Sequence, residues 1–308
     1  MTNTFAATGG ATGGATDRDM THPMDNIAVR PLKFDPASSD PIWSQSSPEF
    51  AMFINALGID VPHFERFLVK VMREHRGALD NPQLLEDVQA IIGQESHHAF
   101  NFNRWTNRLI EKYPALERVN ATCARSFARL AKRGKKFQIG FVAGYETFTF
   151  LGGLIILQRY QELMAEADPV MRGIWVWHQV EEVEHGAVAF DFYQAFYGKH
   201  EWYRKGLVIL AFTHILGETF KAYAPMVGGE GLYKTPRLAL RAWRFFARFG
   251  LDLAISALPV LKRNYHPRNH PICNNEQNQI AVAWRNHYQN GGNVKTLNDD
   301  IMRLLQGT

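Results

Sequence analysis

A chain of 308 residues with 46% hydrophobic content can bury a sizeable core, which excludes a largely disordered protein. The formal charge of +4, with basic residues dispersed except at Lys132, Arg133, Lys135 and Lys136 and over Arg237–Arg248, gives no case for nucleic acid as a partner. Only Cys123 and Cys273 are present, which excludes a disulfide framework and a thiolate zinc cluster and leads us to expect a cytoplasmic protein.

Residues 1–40 are rich in Thr, Gly, Ala, Ser and Pro and lack the basic-then-apolar order of a secretion signal. They predict a disordered or wrapping arm ahead of a single helical domain over 41–308. From there on, apolar residues recur at helical spacing and strand-like alternation is scarce. The first helix is expected from about Val61 to Gly77, where Phe64, Leu68, Val71 and Met72 share a broad stripe with Glu65. Asn81-Pro82 reads as a cap followed by proline at the first helical position. It opens a second helix whose buried stripe runs through Val88, Ile92, Glu95 and Ala99.

Polar residues from Arg118 to Lys136 predict a connecting helix with a solvated side. Phe137–Gln158 follows with one charge, Glu146, over a length that can cross a bilayer. A lone carboxylate at mid-bilayer costs about 2.5–3.5 kcal/mol even on a lenient insertion scale, so a helix enclosed by other helices is the preferred reading. A fourth helix is expected from Asp168-Pro169 to about Tyr197. Beyond it, an apolar helix over Tyr203–Tyr223 and a basic, aromatic helix over Arg237–Leu258 should pack around the bundle. The second of these either buries its aromatics or touches a membrane surface or redox partner. The last fifty residues hold two Pro-bounded His motifs and a short terminal helix.

The chemistry lies in an ordered series: Glu65, then Glu95-x-x-His98, then Glu146, then Glu182-x-x-His185. A Glu and a His three apart project from one helical face toward a common point. Two such pairs and two single glutamates make the donor set of dinuclear centres in helical bundles, so an all-α, ferritin-like four-helix bundle with additional C-terminal helices is expected. Four buried carboxylates would repel one another unless divalent cations joined them, and the mixture of carboxylate and imidazole suits iron, or manganese, over zinc or magnesium. His178 lies four residues before Glu182 on the same face and reads either as a seventh ligand or as a hydrogen-bond partner of a ligand. Glu181 and Glu184 point away on the same wheel and are expected to be solvated or to support the ligands from outside. Glu74 would replace Glu65 if the helix phase were shifted. Asp191 is expected to orient a ligand, and His214 with Glu218 forms either a supporting contact or a buried pair.

Glu65, Glu95-x-x-His98, Glu146 and His178-x-x-x-Glu182-x-x-His185 resemble the ligand order of the non-haem di-iron arylamine N-oxygenases, including their additional histidine. Trp177-His178-x-x-Glu181-Glu182-x-Glu184-His185 and Tyr265-His266-Pro267 resemble a bacterial family described as predicted metal-dependent hydrolases, a likeness running from about Pro31 to His270. The first resemblance implies two iron ions and O₂ as co-substrate, with hydroxylation or N-oxygenation of an apolar or aromatic organic substrate and an electron donor such as a ferredoxin or reductase. The second implies a dinuclear hydrolase of an ester, amide or phosphate. A non-catalytic iron-handling protein is the third reading, and a monomer or homodimer is expected. Phe102, Trp105, Tyr145, Phe148, Phe150, Trp175 and Phe190 predict an apolar pocket beside the ligands.

Overall fold

The computed structural model describes His22, Met24 and residues 27–273 and 278–307. Its helices are α1 (Pro48–His75), α2 (Pro82–Lys112), α3 (Ala115–Leu130), α4 (Lys135–Gln158), α5 (Tyr160–Met164) and α6 (Pro169–Glu184). They continue with α7 (Val188–Tyr197), α8 (Glu201–Gly229), α9 (Pro236–Ser256), α10 (Gln279–Gln289) and α11 (Asp299–Gln306). The all-α bundle expected from the periodicity is observed, and no strand longer than an isolated bridge occurs among the described residues.

A polar cap followed by proline starts three of the ligand-bearing helices. Ser47, Asn81 and Asp168 each accept hydrogen bonds from backbone N–H groups of the first turn, and a proline occupies the position whose N–H has no helical partner. The Ser47-Pro48 start lies well before the expected Val61. Pro62 mimics a helix start, but here the helix runs through it without a break. A second difference concerns the expected helix over 169–197. It turns at His185–Ala187, so α6 ends at Glu184 and α7 begins at Val188. Gly186 sits in this turn because a Cβ there would lie 2.5 Å from the Phe150 ring.

α1 pairs with α2 and α4 with α6, and α8 lies across both α1 and α4. The α4–α8 crossing is close: a Cβ on Gly144 would meet the Leu207 carbonyl oxygen at 2.8 Å. The apolar window of α4 is long enough to cross a membrane, yet it is 83% buried within the protein. It forms the inner wall of the bundle, consistent with a helix apolar on all sides. Of the N-terminal arm, residues 1–21 lie outside the described residues. Residues 27–40 run along the bundle, where Phe34 packs 5.2 Å from Trp177 and its N–H donates to Asn101 Oδ1. Near the other end, α10 adds a helix to the single terminal one expected, which is α11.

Candidate metal centre

Four helices deliver the predicted donors into the bundle interior: Glu65 from α1, Glu95 and His98 from α2, Glu146 from α4, and His178 and Glu182 from α6, with His185 in the turn that ends α6. His98 Nδ1 lies 3.7 Å from Glu65 Oε1, 3.6 Å from Glu95 Oε2 and 3.6 Å from Glu182 Oε1. His185 Nε2 faces Glu95 Oε1 at 3.2 Å and Glu182 Oε2 at 3.8 Å. His178 Nε2 stands 3.0 Å from Glu182 Oε1 and 3.6 Å from Glu65 Oε1. The donors form two overlapping groups, Glu65, His98, His178 and Glu182, and Glu95, His98, Glu182 and His185. Within each group the facing atoms lie inside 4.8 Å of one another. Glu182 and His98 belong to both groups, and the two oxygens of Glu182 face different histidines, Oε1 toward His98 and His178 and Oε2 toward His185.

The decisive feature is what these atoms lack. Both oxygens of Glu65, both of Glu95, Glu182 Oε2, and the facing nitrogens of His98, His178 and His185 are buried with no well-aligned hydrogen bond. Leaving one buried polar atom unsatisfied costs about 1–3 kcal/mol, so a cluster of this size is untenable as plain protein interior. Two divalent cations would satisfy all of them and balance the charge of Glu65, Glu95, Glu146 and Glu182. The residues fit a dinuclear centre.

Electrostatics in the metal-free cluster point the same way. Burial lifts Glu65 to about 7 and Glu146 to about 8. Burial also opposes ionisation of Glu182, but the imidazoles of His178 and His185 outweigh it and hold that carboxyl well below its usual range. Burial disfavours the imidazolium form of the histidines, yet Glu181 and Glu95 hold His98 well above its ordinary value, and Glu146 and Glu182 lift His185 to about 10. The carboxylates attract protons where cations are missing, and metal would displace those protons.

Around the donors lies a supporting layer, the second of the two places expected for Glu181 and Glu184. Both are fully buried, because α6 has no solvated side at this level. His98 Nε2 donates to Glu181 Oε2 at 2.9 Å, which turns the Nδ1 lone pair toward the cluster. Arg30 of the N-terminal segment donates to Glu181 at 3.0 Å and to both oxygens of Glu184 at 2.8 Å, and Gln94 adds a bond to Glu184. On the other side, His185 Nδ1 donates to Glu146 Oε2 at 2.8 Å, leaving Nε2 free for a metal. Glu146 thus touches the cluster through His185 and stands outside both groups of facing donors. His178 Nδ1 lies 3.1 Å from the Gln179 side-chain amide, and with the amide oxygen turned toward it Nδ1 donates and Nε2 presents its lone pair to the cluster.

Asp191 does not reach the site. It pairs with His266 at 2.9 Å, and His270 donates to the Ser256 carbonyl, which accounts for the two His-Pro motifs as ties between the C-terminal segment and the bundle. Glu74 is exposed at the rim of an open groove between α1 and α2, leaving Glu65 as the α1 donor.

An apolar cavity of about 40 Å³ borders His178 and is walled by Phe64, Tyr145, Phe148 and Trp175, with Ile215 of α8 and Phe249 and Leu253 of α9 at its outer side. Of the aromatics expected there, Tyr145, Phe148 and Trp175 line it, whereas Phe102 packs edge-on to the His178 ring and Trp105, Phe150 and Phe190 belong to the packing elsewhere. One carboxyl enters the cavity wall. Asp60 accepts from Cys123 Sγ at 3.1 Å and from the Tyr145 hydroxyl at 2.8 Å, and burial raises it to about 7. His214 joins this network through Tyr145 and Ser126 and stands 3.9 Å from Glu218, which Lys221 engages more closely at 2.7 Å. Arg30 and Asp60 escaped the sequence reading because neither has a local signal: one lies in a Pro-flanked arm, the other as an isolated acid inside an apolar helix.

No curated protein and no solved structure shows detectable similarity to the chain. A family model described as "predicted metal-dependent hydrolase" matches residues 28–271, a span that holds every donor described above. With that match over most of its length and a buried carboxylate–imidazole cluster at its centre, the chain belongs to the family of predicted metal-dependent hydrolases.

Proposed function

We propose that the protein is a dinuclear metal enzyme acting on an apolar organic substrate that approaches the centre through the apolar wall beside His178, where the existing cavity of about 40 Å³ would have to widen to admit it, and that iron and O₂ are its native reagents. The carrying observation is the set of buried, unpartnered donor atoms on Glu65, Glu95, His98, His178, Glu182 and His185. A donor set so rich in carboxylates and with three imidazoles supports redox-active iron, or manganese, and an apolar cavity next to it supports oxidation of a hydrocarbon or aromatic group. The family description supports a second reading directly: hydrolysis by a redox-inert metal pair. When bound, iron would supply O₂ activation, drawing electrons from an external donor such as a ferredoxin or reductase, whereas a redox-inert pair would supply an activated water.

The chain's own residues have the same duties under either reading. Glu181 and Glu146 fix the proton of His98 and of His185 on the nitrogen that faces away from the donors. Arg30 neutralises Glu181 and Glu184 and so keeps them from competing for the metal. The cavity walls exclude water from the face of the centre bounded by His178.

Metal analysis and anaerobic turnover separate the readings. Protein purified with iron is expected to hold about two ions per chain, to change its optical spectrum when reduced and exposed to O₂, and to consume O₂. Ester or phosphate cleavage that persists under strict anaerobiosis with zinc or manganese, without an O₂-dependent spectral change, would replace oxygenation by hydrolysis.

A further inference from the structure

We infer that the outward faces of α8 and α9 dock on an anionic lipid surface, and that a lipid-soluble substrate enters by parting these helices where Ile215, Phe249 and Leu253 wall the small cavity beside His178. Trp202, Ile209 and Phe220 on α8 and Leu240, Leu251 and Ile255 on α9 are each more than half exposed, an unusual concentration of large apolar side chains on one side of a protein. The two faces are joined, since Phe220 packs 5.2 Å from the Trp243 ring and Gly250 lies against Leu216. At 100° per residue, Leu240, Leu251 and Ile255 share one outward arc of α9 with Arg237, Arg244 and Arg248, all exposed. Lys262 and Arg263, also exposed, follow directly. Aliphatic and basic side chains interleaved on a single outward arc are what the headgroup and acyl boundary of an anionic membrane accepts.

Charge decides between a membrane and a second copy of the chain. The nearest acid on α9 is Asp252, at the edge of the arc and engaged by Arg159 at 2.9 Å; Glu49 and Glu162 share a groove with Arg244 and Arg248, but Arg241 and Arg159 already engage them at 2.6 Å each. Two copies meeting through this face would set arginine against arginine, whereas anionic lipid neutralises all of them. The inner faces of the same helices complete the argument, because Ile215, Phe249 and Leu253 form the outer wall of the cavity. A molecule dissolved in the lipid would need to cross only one layer of helices. The substrate part of this inference rests on the proposed enzymatic reading; the docking part does not.

The test uses the full chain, both metal-free and iron-loaded, with vesicles of phosphatidylcholine alone or with about 30% phosphatidylglycerol. Wild-type protein is expected to sediment with the anionic vesicles in both metal states. The triple substitutions Leu240→Glu/Leu251→Glu/Ile255→Glu and Arg237→Gln/Arg244→Gln/Arg248→Gln, all at exposed positions, should each weaken binding about tenfold. Binding equal in wild type and variants, or absent from wild type, would overturn the docking. So would a wild-type dimer in solution that the leucine variant dissociates. A diazirine-bearing long-chain alcohol placed in the vesicles is expected to label Ile215, Phe249 or Leu253 on irradiation of the metal-free protein; labels confined to Leu240, Leu251 and Ile255 would overturn entry between the helices. Labelling of metal-free protein does not depend on which reaction the centre performs, so failure here and failure of the oxygenase reading are distinguishable.

Discussion

Individual side chains around the cluster divide into those whose donor atoms face one another and those that orient them. Glu95→Ala and His185→Ala each remove a facing donor and are expected to lower metal content to about one ion per chain or fewer, measured by elemental analysis of protein loaded with iron. Glu184→Ala touches no facing donor, but it strips Arg30 of a bidentate partner in a fully buried setting and should cost about 3–5 kcal/mol of stability by chemical denaturation. A silent Glu184→Ala would mean that the Arg30 clamp is dispensable. Asp60 makes a separate pH-linked contribution. Its folded-state value, raised by burial from 3.8 to about 7, means that its stabilising contribution is complete below about pH 4 and is lost as pH rises through 7. Asp60→Asn, which cannot ionise, should therefore gain on wild type by up to about 4 kcal/mol between pH 4 and 8, read from paired melts across that range. A constant gap between the two proteins would show that Asp60 is not the group titrating.

At the level of helices, the α4–α8 crossing and the α6–α7 turn set the geometry of the site. Gly144→Ala forces a methyl to within 2.8 Å of the Leu207 carbonyl oxygen and should destabilise by about 1–3 kcal/mol. Gly152→Ala, on the same helix with nothing within 4 Å, should be neutral or stabilise by up to about 1 kcal/mol. Equal effects in a denaturant series would mean that helix propensity, and not the crossing, controls α4. Much of this level was readable from the chain alone. Glu95, His98, Glu182 and His185 were legible because a Glu-x-x-His spacing on an apolar stripe has few other uses, and Asn81-Pro82 and Asp168-Pro169 marked their helix starts correctly. The start of α1 was set too late because the expectation rested on the stripe around Glu65 and took no account of the Ser47-Pro48 cap. The turn after Glu184 was invisible because the residues on either side keep the same apolar period, and the close approach of Phe150 and Met24 to Gly186 is a tertiary contact with no local signal. For Glu181 and Glu184 the wheel showed only that they point away from the donors and left solvent and a supporting role both open; a helix surrounded on all sides has no wet face, so the supporting role is the one observed.

In the whole molecule, the centre is a tie between distant parts of the chain, and its occupancy should be felt globally. Iron at a hundred times its dissociation constant would add about 2.7 kcal/mol to stability, visible as a melting point several degrees above that of metal-free protein. Identical melts with and without metal would remove the centre from any stabilising role. The Arg30 contact carries a further consequence for biosynthesis. Arg30 and Glu184 are 154 positions apart, and at ordinary elongation rates of about 5–20 residues per second the arginine leaves the ribosome roughly 8–30 s before its partner is made. During that interval the segment around Phe34 can settle on α2 through Asn101, but the clamp around Glu181 and His98 cannot close. The donor set is therefore complete only once α6 has been made, after the first two helices have had time to pair.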